Sequence, residues 1–322
     1  MENYINQDYF SRLEELMTLS VGDIQSGKVS NISAIFLLLD ALPLNIDLNE
    51  EDIEKYALSM RTNEPYRSFQ DRFVRNAIKN KQLMTREIAV DNSNINNLSA
   101  YYFLNNSNTN ELEKSKGIVC KGLDYKGEAF YDNCTLTDLP IQTWEPIRES
   151  IPPVNAMLII DKYIFSKPLK IKIQSLIDFV TLYKANLEIP FHLSILFSSE
   201  NHGKSHVTQA QIDEVFQTIS SIRNLEVTLY LDNSIPVDDR LVYTNYTTGS
   251  IGHPFDVRPT RFSQNFLGRE NSSANIIRNY TNYRKDILFW NSFISKIPRS
   301  MGQVKTKWES SDFTNRLFEP FL

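Results

Sequence analysis

Residues 157–197 read MLIIDKYIFSKPLKIKIQSLIDFVTLYKANLEIPFHLSILF, and their rhythm decides the fold class. MLII (157–160) is a short continuous apolar run, the composition of a strand buried on both faces. Pro168 then opens a helical pattern that puts Ile171, Leu176, Phe179, Val180 and Tyr183 on one face. Residues 193–197 read as the next strand. Further on, Thr208 is placed to cap a helix bearing Ile212, Val215, Phe216 and Ile219. Residues 225–231 alternate as a third strand and 241–246 as a fourth. The alternation of strand and helix predicts an α/β domain with a largely parallel sheet, flanking helices near 168–183 and 208–223, and right-handed crossovers.

Upstream of this block the rhythm changes. Prolines 140, 146, 152 and 153 mark a joint near residue 150. Residues 8–19 place Phe10, Leu13, Leu16 and Met17 on one helical face. Ile32 to Leu42 is an apolar run stopped by Pro43, and Asn49 reads as the N-cap of a helix that starts with Glu50, Glu51 and Asp52 and reaches about Met60. Another helix follows Pro65 with Phe69, Phe73 and Ile78. Residues 91–110 hold eight asparagines and break every period except at 101–104, and 116–139 shows short β-like pieces around Gly122 and Gly127. The expected organisation is a helical region over 1–90, an Asn-rich, irregular β-containing middle over 91–150, and the α/β domain with its C-terminal extension over 151–322.

With 322 residues, 41% of them hydrophobic, the chain can build a packed core and is not globally disordered. The net charge of -5 argues against a protein that coats nucleic acid over its whole surface. That charge is uneven. From residue 255 to 322 there are 11 Lys/Arg and 6 Asp/Glu, a net of +5, so residues 1–254 carry -10. Among the cations stand Phe262, Phe266, Tyr280, Tyr283, Phe289, Trp290 and Trp308. Basic and aromatic side chains together suit a single-stranded nucleic acid or another anionic surface; packed as core under a solvated charged face, they would serve only the fold. The N-terminus has no basic-then-apolar leader, and no apolar run is long enough for a bilayer, so a cytoplasmic protein without a transmembrane segment is expected. Cys120 and Cys134 are too few for a four-ligand zinc site.

Two segments carry a family resemblance. IIDKYIF (159–165) places Asp161 and Tyr163 after a strand end, and DDRLVYTNYTTGSIGHPFD (238–256) follows the third strand. Together they resemble the phospholipase-D-like C-terminal domain of microtubule-interacting-and-trafficking proteins and of uncharacterised prokaryotic proteins. Asp239 and Arg240 fit that family's Asp-Arg pair. Thr244, Asn245 and Tyr246 fit its strand, and Gly252, His253, Phe255 and Asp256 fit its closing turn. Asp238 stands where the family has His, and Pro254 where it has Gly. The resemblance implies a phospholipase-D-like fold of the non-catalytic, anion-binding kind, and its prokaryotic members point to a bacterial or phage conflict role. Phospholipase-D enzymes need a His nucleophile with a Lys partner. His202-Gly203-Lys204 offers that pair without the downstream Asp, since Gln209 stands there. Gly203-Lys204-Ser205 echoes a P-loop end, but Ser198 replaces its first Gly.

The candidate binding set is therefore Asp161, Tyr163, Asp239, Arg240, Asn245 and His253, with no cofactor and no metal expected. The function they suggest is non-catalytic recognition of a polyanion, nucleic acid above all, with Arg240 and residues 255–322 making the contacts. A metal-dependent nuclease or phosphodiesterase using Asp161 and Asp239 is the main alternative. The third is an interaction protein whose end, FTNRLFEPFL, docks on a partner or a second copy.

Overall fold

A computed structural model describes residues 1–6, 9, 32–46, 48–67, 69–79, 83–85, 98–104, 109–122, 133–137, 143–166, 169–184, 186–199, 207–237, 240–252 and 261–319. The chain divides into two compact units: Met1–Lys114, Ile118–Tyr131 and Gly268–Thr281 form the first; Ser115–Gly117, Asp132–Leu267 and Asn282–Leu322 form the second.

Unit 1 corrects the expectation of a helical region followed by an irregular middle. Its centre is a five-stranded sheet of β1 (Asn3–Ile5), β2 (Leu44–Ile46), β3 (Leu83–Thr85), β4 (Tyr101–Phe103) and β5 (Val119–Lys121), in the order β3-β2-β1-β4-β5. Every pairing is parallel. The expected helices are present: α1 (Ile32–Ala41), α2 (Glu50–Arg61) and α3 (Phe69–Lys79), joined by α4 (Thr109–Lys116). Asn49 caps α2 by accepting from the Asp52 N–H. The helix expected over 8–19 lies outside the described residues apart from Tyr9. The strands escape sequence reading because each is three residues long, too short to express a period of two. β1, β2, β4 and β5 are buried nevertheless: Asn3, Ile5, Tyr101 and Phe103 are wholly inaccessible, and Tyr4 stacks on Tyr102 at 4.9 Å.

Unit 2 holds an eight-stranded mixed sheet. β7 (Ala156–Ile160), β8 (Phe191–Phe197) and β9 (Leu225–Leu231) run parallel, linked by α5 (Leu169–Tyr183) and α6 (Gln209–Ser220), as the sequence predicts. Thr208 caps α6 in a reciprocal box with Gln211. The rest of the sheet is antiparallel, which corrects the largely parallel expectation. β10 (Leu241–Thr244) runs against β7, followed outward by β11 (Thr247–Gly252), β12 (Arg261–Phe266) and β6 (Cys134–Thr137). The reason is chain length. β9 ends at Leu231 and β10 starts at Leu241, and a parallel return needs a crossover of a dozen residues or more. β10 instead starts at the carboxyl-end edge of the sheet and runs opposite in direction to β7. β15 (Lys307–Glu309) closes the other side, antiparallel to β9. On α5 the buried face is Lys172, Ile173, Leu176, Phe179, Val180 and Tyr183; Ile171, expected on it, is exposed. Helix α7 (Ser273–Ile294) is shared, its first residues belonging to unit 1 and the remainder to unit 2.

Candidate functional site

Because β7, β8 and β9 are parallel, their carboxyl ends share one rim of the sheet, the edge where open α/β sheets place ligands. The antiparallel register brings the start of β10 to that same rim: Leu241 pairs with Ile160. Asp161 and Arg240, 79 residues apart in sequence, become neighbours by topology alone.

The local chain then fixes their side chains. Asp161 donates its N–H to the Leu196 carbonyl (3.0 Å), and its Oδ1 accepts from the Tyr163 N–H (2.8 Å), closing an Asx turn. Ile164 and Phe165 bury beneath the turn. Lys172, reaching from α5, donates through Nζ to Ser166 Oγ (2.6 Å) and the Tyr163 carbonyl (3.3 Å). Arg240 Nε stands 3.6 Å from Asp161 Oδ1, and its guanidinium carbon lies 5.6 Å from the Tyr163 ring centre. The Asp161 side chain is 1% exposed and that of Arg240 22%. The result is a cation held by a carboxylate and by an aromatic ring, with its outer part in solvent. Alongside, Asn233 Oδ1 accepts from Ser198 Oγ (2.9 Å) and the Ser199 N–H (3.0 Å), tying the ends of β8 and β9 together.

At the edge of this rim a small hairpin stands out. β13 (Ser300–Met301) and β14 (Val304–Lys305) pair across Gly302 and Gln303, and the Leu231 N–H donates to the Thr306 carbonyl (2.8 Å), anchoring the hairpin base at the carboxyl end of β9. Residues 296–307 contain Lys296, Arg299, Lys305 and Lys307 and no carboxylate. Glu309 answers Lys307 at 2.6 Å and lies 3.8 Å from Arg299. Lys305 Nζ sits over the Trp308 ring at 5.3 Å.

Of the six residues singled out from sequence, Asp161, Tyr163 and Arg240 come together. Asn245 does not. It is wholly buried at the opposite rim, where its Oδ1 accepts from the N–H groups of Asn155 (3.1 Å) and Ala156 (3.0 Å) and its Nδ2 donates to Asn155 Oδ1 (3.1 Å). Asp239 and His253 lie outside the described residues, as do His202 and Lys204. The aromatic series is core: Phe262, Phe266, Tyr280, Tyr283, Trp290 and Trp308 are buried, and Phe289 alone of the seven is exposed. The described part of the C-terminal segment packs on its own chain. Asn315, Leu317 and Phe318 are buried, and Asn315 Nδ2 donates to the Met157 carbonyl (3.1 Å) and Ser194 Oγ (3.0 Å). Beside it, His192 Nδ1 accepts from the Arg316 N–H (3.2 Å), and burial with the adjacent Arg316 charge holds the imidazole neutral, its pKa lowered to about 3. Lys172, the Ser198–Asn233 tie and the hairpin went unnoticed in the sequence. The legible signal for the last was a glycine inside a run of twelve residues without an acid.

Among the described residues, no helix is long and apolar enough to cross a membrane, and no three His, Cys, Asp or Glu side chains converge as metal ligands. Cys120 and Cys134 are free and buried, and burial pushes the Cys120 thiol far above its usual range. No protein-family model, curated protein or solved structure matches the chain.

Proposed function

We propose that the protein is a non-catalytic binding module for a polyanion, nucleic acid in particular, and that the carboxyl-end rim of unit 2 is the binding face. The observation that carries this reading is the acid-free basic run of residues 296–307 at that rim. Of these four cations Lys307 and Arg299 face Glu309, and the run itself carries no acid, a local excess of positive charge in a chain that is otherwise acidic. Arg240, fixed from two sides, supplies a pre-oriented guanidinium along the same rim, which suits recognition of phosphate. The phospholipase-D-like resemblance of the segments around Asp161 and Arg240 agrees with an anion-binding surface. Burial of the aromatics redirects the reading from base stacking on single strands to contacts with the phosphate backbone. The nuclease alternative is the weaker one, because the Asp161 carboxylate is buried and already engaged by Arg240 and the Tyr163 N–H.

Fluorescence anisotropy with a labelled oligonucleotide tests the proposal. Affinity should fall steeply between ~50 and ~200 mM salt, since each neutralised phosphate releases counterions. No cleavage should accompany binding with Mg²⁺ or Mn²⁺. Turnover abolished by Asp161→Asn would replace this reading with the nuclease.

Unit 1 favours a second, separate activity. Its all-parallel order β3-β2-β1-β4-β5 is that of doubly wound sheets, which bind ligands beyond the strand ends where the order reverses, here between β1 and β4. Asn6 stands at that point, its N–H donating to the Phe103 carbonyl (3.1 Å) and its Oδ1 accepting from the Tyr9 N–H (3.0 Å). The sequence after β1, NQDYFSRLEEL (6–16), lacks the glycines of a dinucleotide fingerprint. A thermal-shift screen of nucleotides and small polar metabolites, read with Asn6→Asp as control, tests this site independently of the rim in unit 2.

A further inference from the structure

We infer that the β13–β14 hairpin is a groove-entering element for double-stranded DNA. This deepens the polyanion reading and rests on it. Cross-strand partners share a face, so Met301 and Val304 project on one side of the hairpin and Ser300 and Lys305 on the other. Met301 is 66% exposed and Val304 50%, an apolar pair in solvent on an element that otherwise carries polar and basic residues. Among the described residues, Gly302 alone in this turn has a positive φ, +62°, the pattern of a tight two-residue hairpin loop. Nothing lies within 4 Å of a Cβ built on Gly302, so the tip stands clear of the protein. Gln303, next to it, is exposed.

Three candidate occupants differ in what they ask of such a tip. A bilayer asks for apolar side chains at the apex, whereas the apex here is Gly302-Gln303 with the apolar pair set behind it. A-form RNA offers a major groove too narrow for side chains to read. The major groove of B-DNA is ~12 Å wide and admits a two-stranded ribbon. Its floor presents what these residues recognise: a carboxamide such as Gln303 pairs with an adenine edge, and the thymine methyl meets apolar atoms such as those of Met301. Lys296, Arg299 and Lys305, before and within the hairpin in sequence, are exposed and supply cations for the phosphates that flank a groove. Arg240 opens β10, three strands along the rim from β9, where the hairpin base is anchored, ~14 Å at the usual strand spacing, within reach of the backbone of the same duplex.

The test compares a labelled 20-bp mixed-sequence DNA duplex, its single strand, an RNA duplex of equal length, and phosphatidylcholine vesicles with one-fifth phosphatidylserine. Wild type and two variants are measured: Met301→Ser/Gln303→Gly/Val304→Ser, and Arg299→Gln/Lys305→Gln. All five positions are exposed, and unchanged melting temperatures verify that the fold is kept. The wild type should prefer the DNA duplex over single strand and RNA duplex. The tip variant should lose about tenfold in duplex affinity with an unchanged salt slope, because base-edge contacts release no counterions. The charge variant should lose about two units of that slope. If the wild type binds the duplex and the tip variant binds equally well, the hairpin inference fails alone. Binding to vesicles in preference to DNA, lost in the tip variant, would overturn it in favour of a lipid surface. If the wild type binds no nucleic acid at all, the polyanion reading falls and this inference with it.

Discussion

The two rims of the unit 2 sheet are built from the same strands and differ in how their polar groups are answered. At the amino-end rim, Asn245 and Asn155 satisfy each other, Asn315 bonds to backbone and Ser194, and Arg316 donates to the carbonyls of Asn155 (3.2 Å) and Pro190 (2.6 Å). The residues 313–318 cover this edge, and His192 is neutral beneath them. The carboxyl-end rim keeps charge in play: Asp161 is buried, but the Arg240 that answers it reaches solvent, and a basic hairpin stands at the edge. The lesson is that buried polarity marks architecture when its partners are backbone and amide groups, whereas a charge that keeps part of its side chain in solvent is available for binding.

The sharpest way to break this contrast is to remove Arg240. Arg240→Ala leaves the Asp161 carboxylate buried without its cation, and a loss of about 3 kcal/mol is expected in denaturant unfolding, at the low end for buried pairs because Arg240 is partly exposed. Asp161→Asn/Arg240→Ala should lose less than the sum of the singles, measured as a double-mutant cycle. Next in size, Asn245→Ala removes three buried hydrogen bonds and should cost about 2–3 kcal/mol while leaving oligonucleotide affinity unchanged. Equal losses of stability and affinity there would erase the distinction between the rims.

Acid should act on the amino-end rim through His192. Its folded pKa of about 3 lies below the ordinary 6.5, so between these values the unfolded chain binds the extra proton. Stability attributable to this group is complete above pH 6.5 and declines as pH falls towards 3. About 2 kcal/mol should be lost between pH 6.5 and pH 4.5, and His192→Gln should flatten that part of the profile. The smallest stability effect is expected at the hairpin, where Arg299→Gln/Lys305→Gln should change unfolding free energy by less than ~0.5 kcal/mol while weakening binding.

Much of unit 2 was legible because its central strands are buried on both faces. MLII (157–160) therefore reads as an apolar run and 193–197 as a mostly apolar one, and Thr208 announced a helix start. Unit 1 was not, since NYI, LNI and YYF are too short to show a period and gain their burial from neighbours far along the chain. The candidate site was half legible for a related reason. Asn245 and Arg240 sit five residues apart and read as one motif, yet β10 lies between them and carries them to opposite rims. Charge counts found the basic region, but the six buried aromatics within it serve the core, because a sequence run does not say which side of a helix or strand faces water.

Hydrogen–deuterium exchange with and without a saturating DNA duplex addresses the contrast between the rims most directly. Protection on binding should appear in peptides covering Asp161 to Ser166, Ser198 and Ser199, and residues 296–307, with no change at Asn155, His192 or residues 313–318. Protection confined to the amino-end rim, or none in the carboxyl-end peptides under conditions where the duplex is bound, would contradict the assignment of the carboxyl-end rim as the binding face.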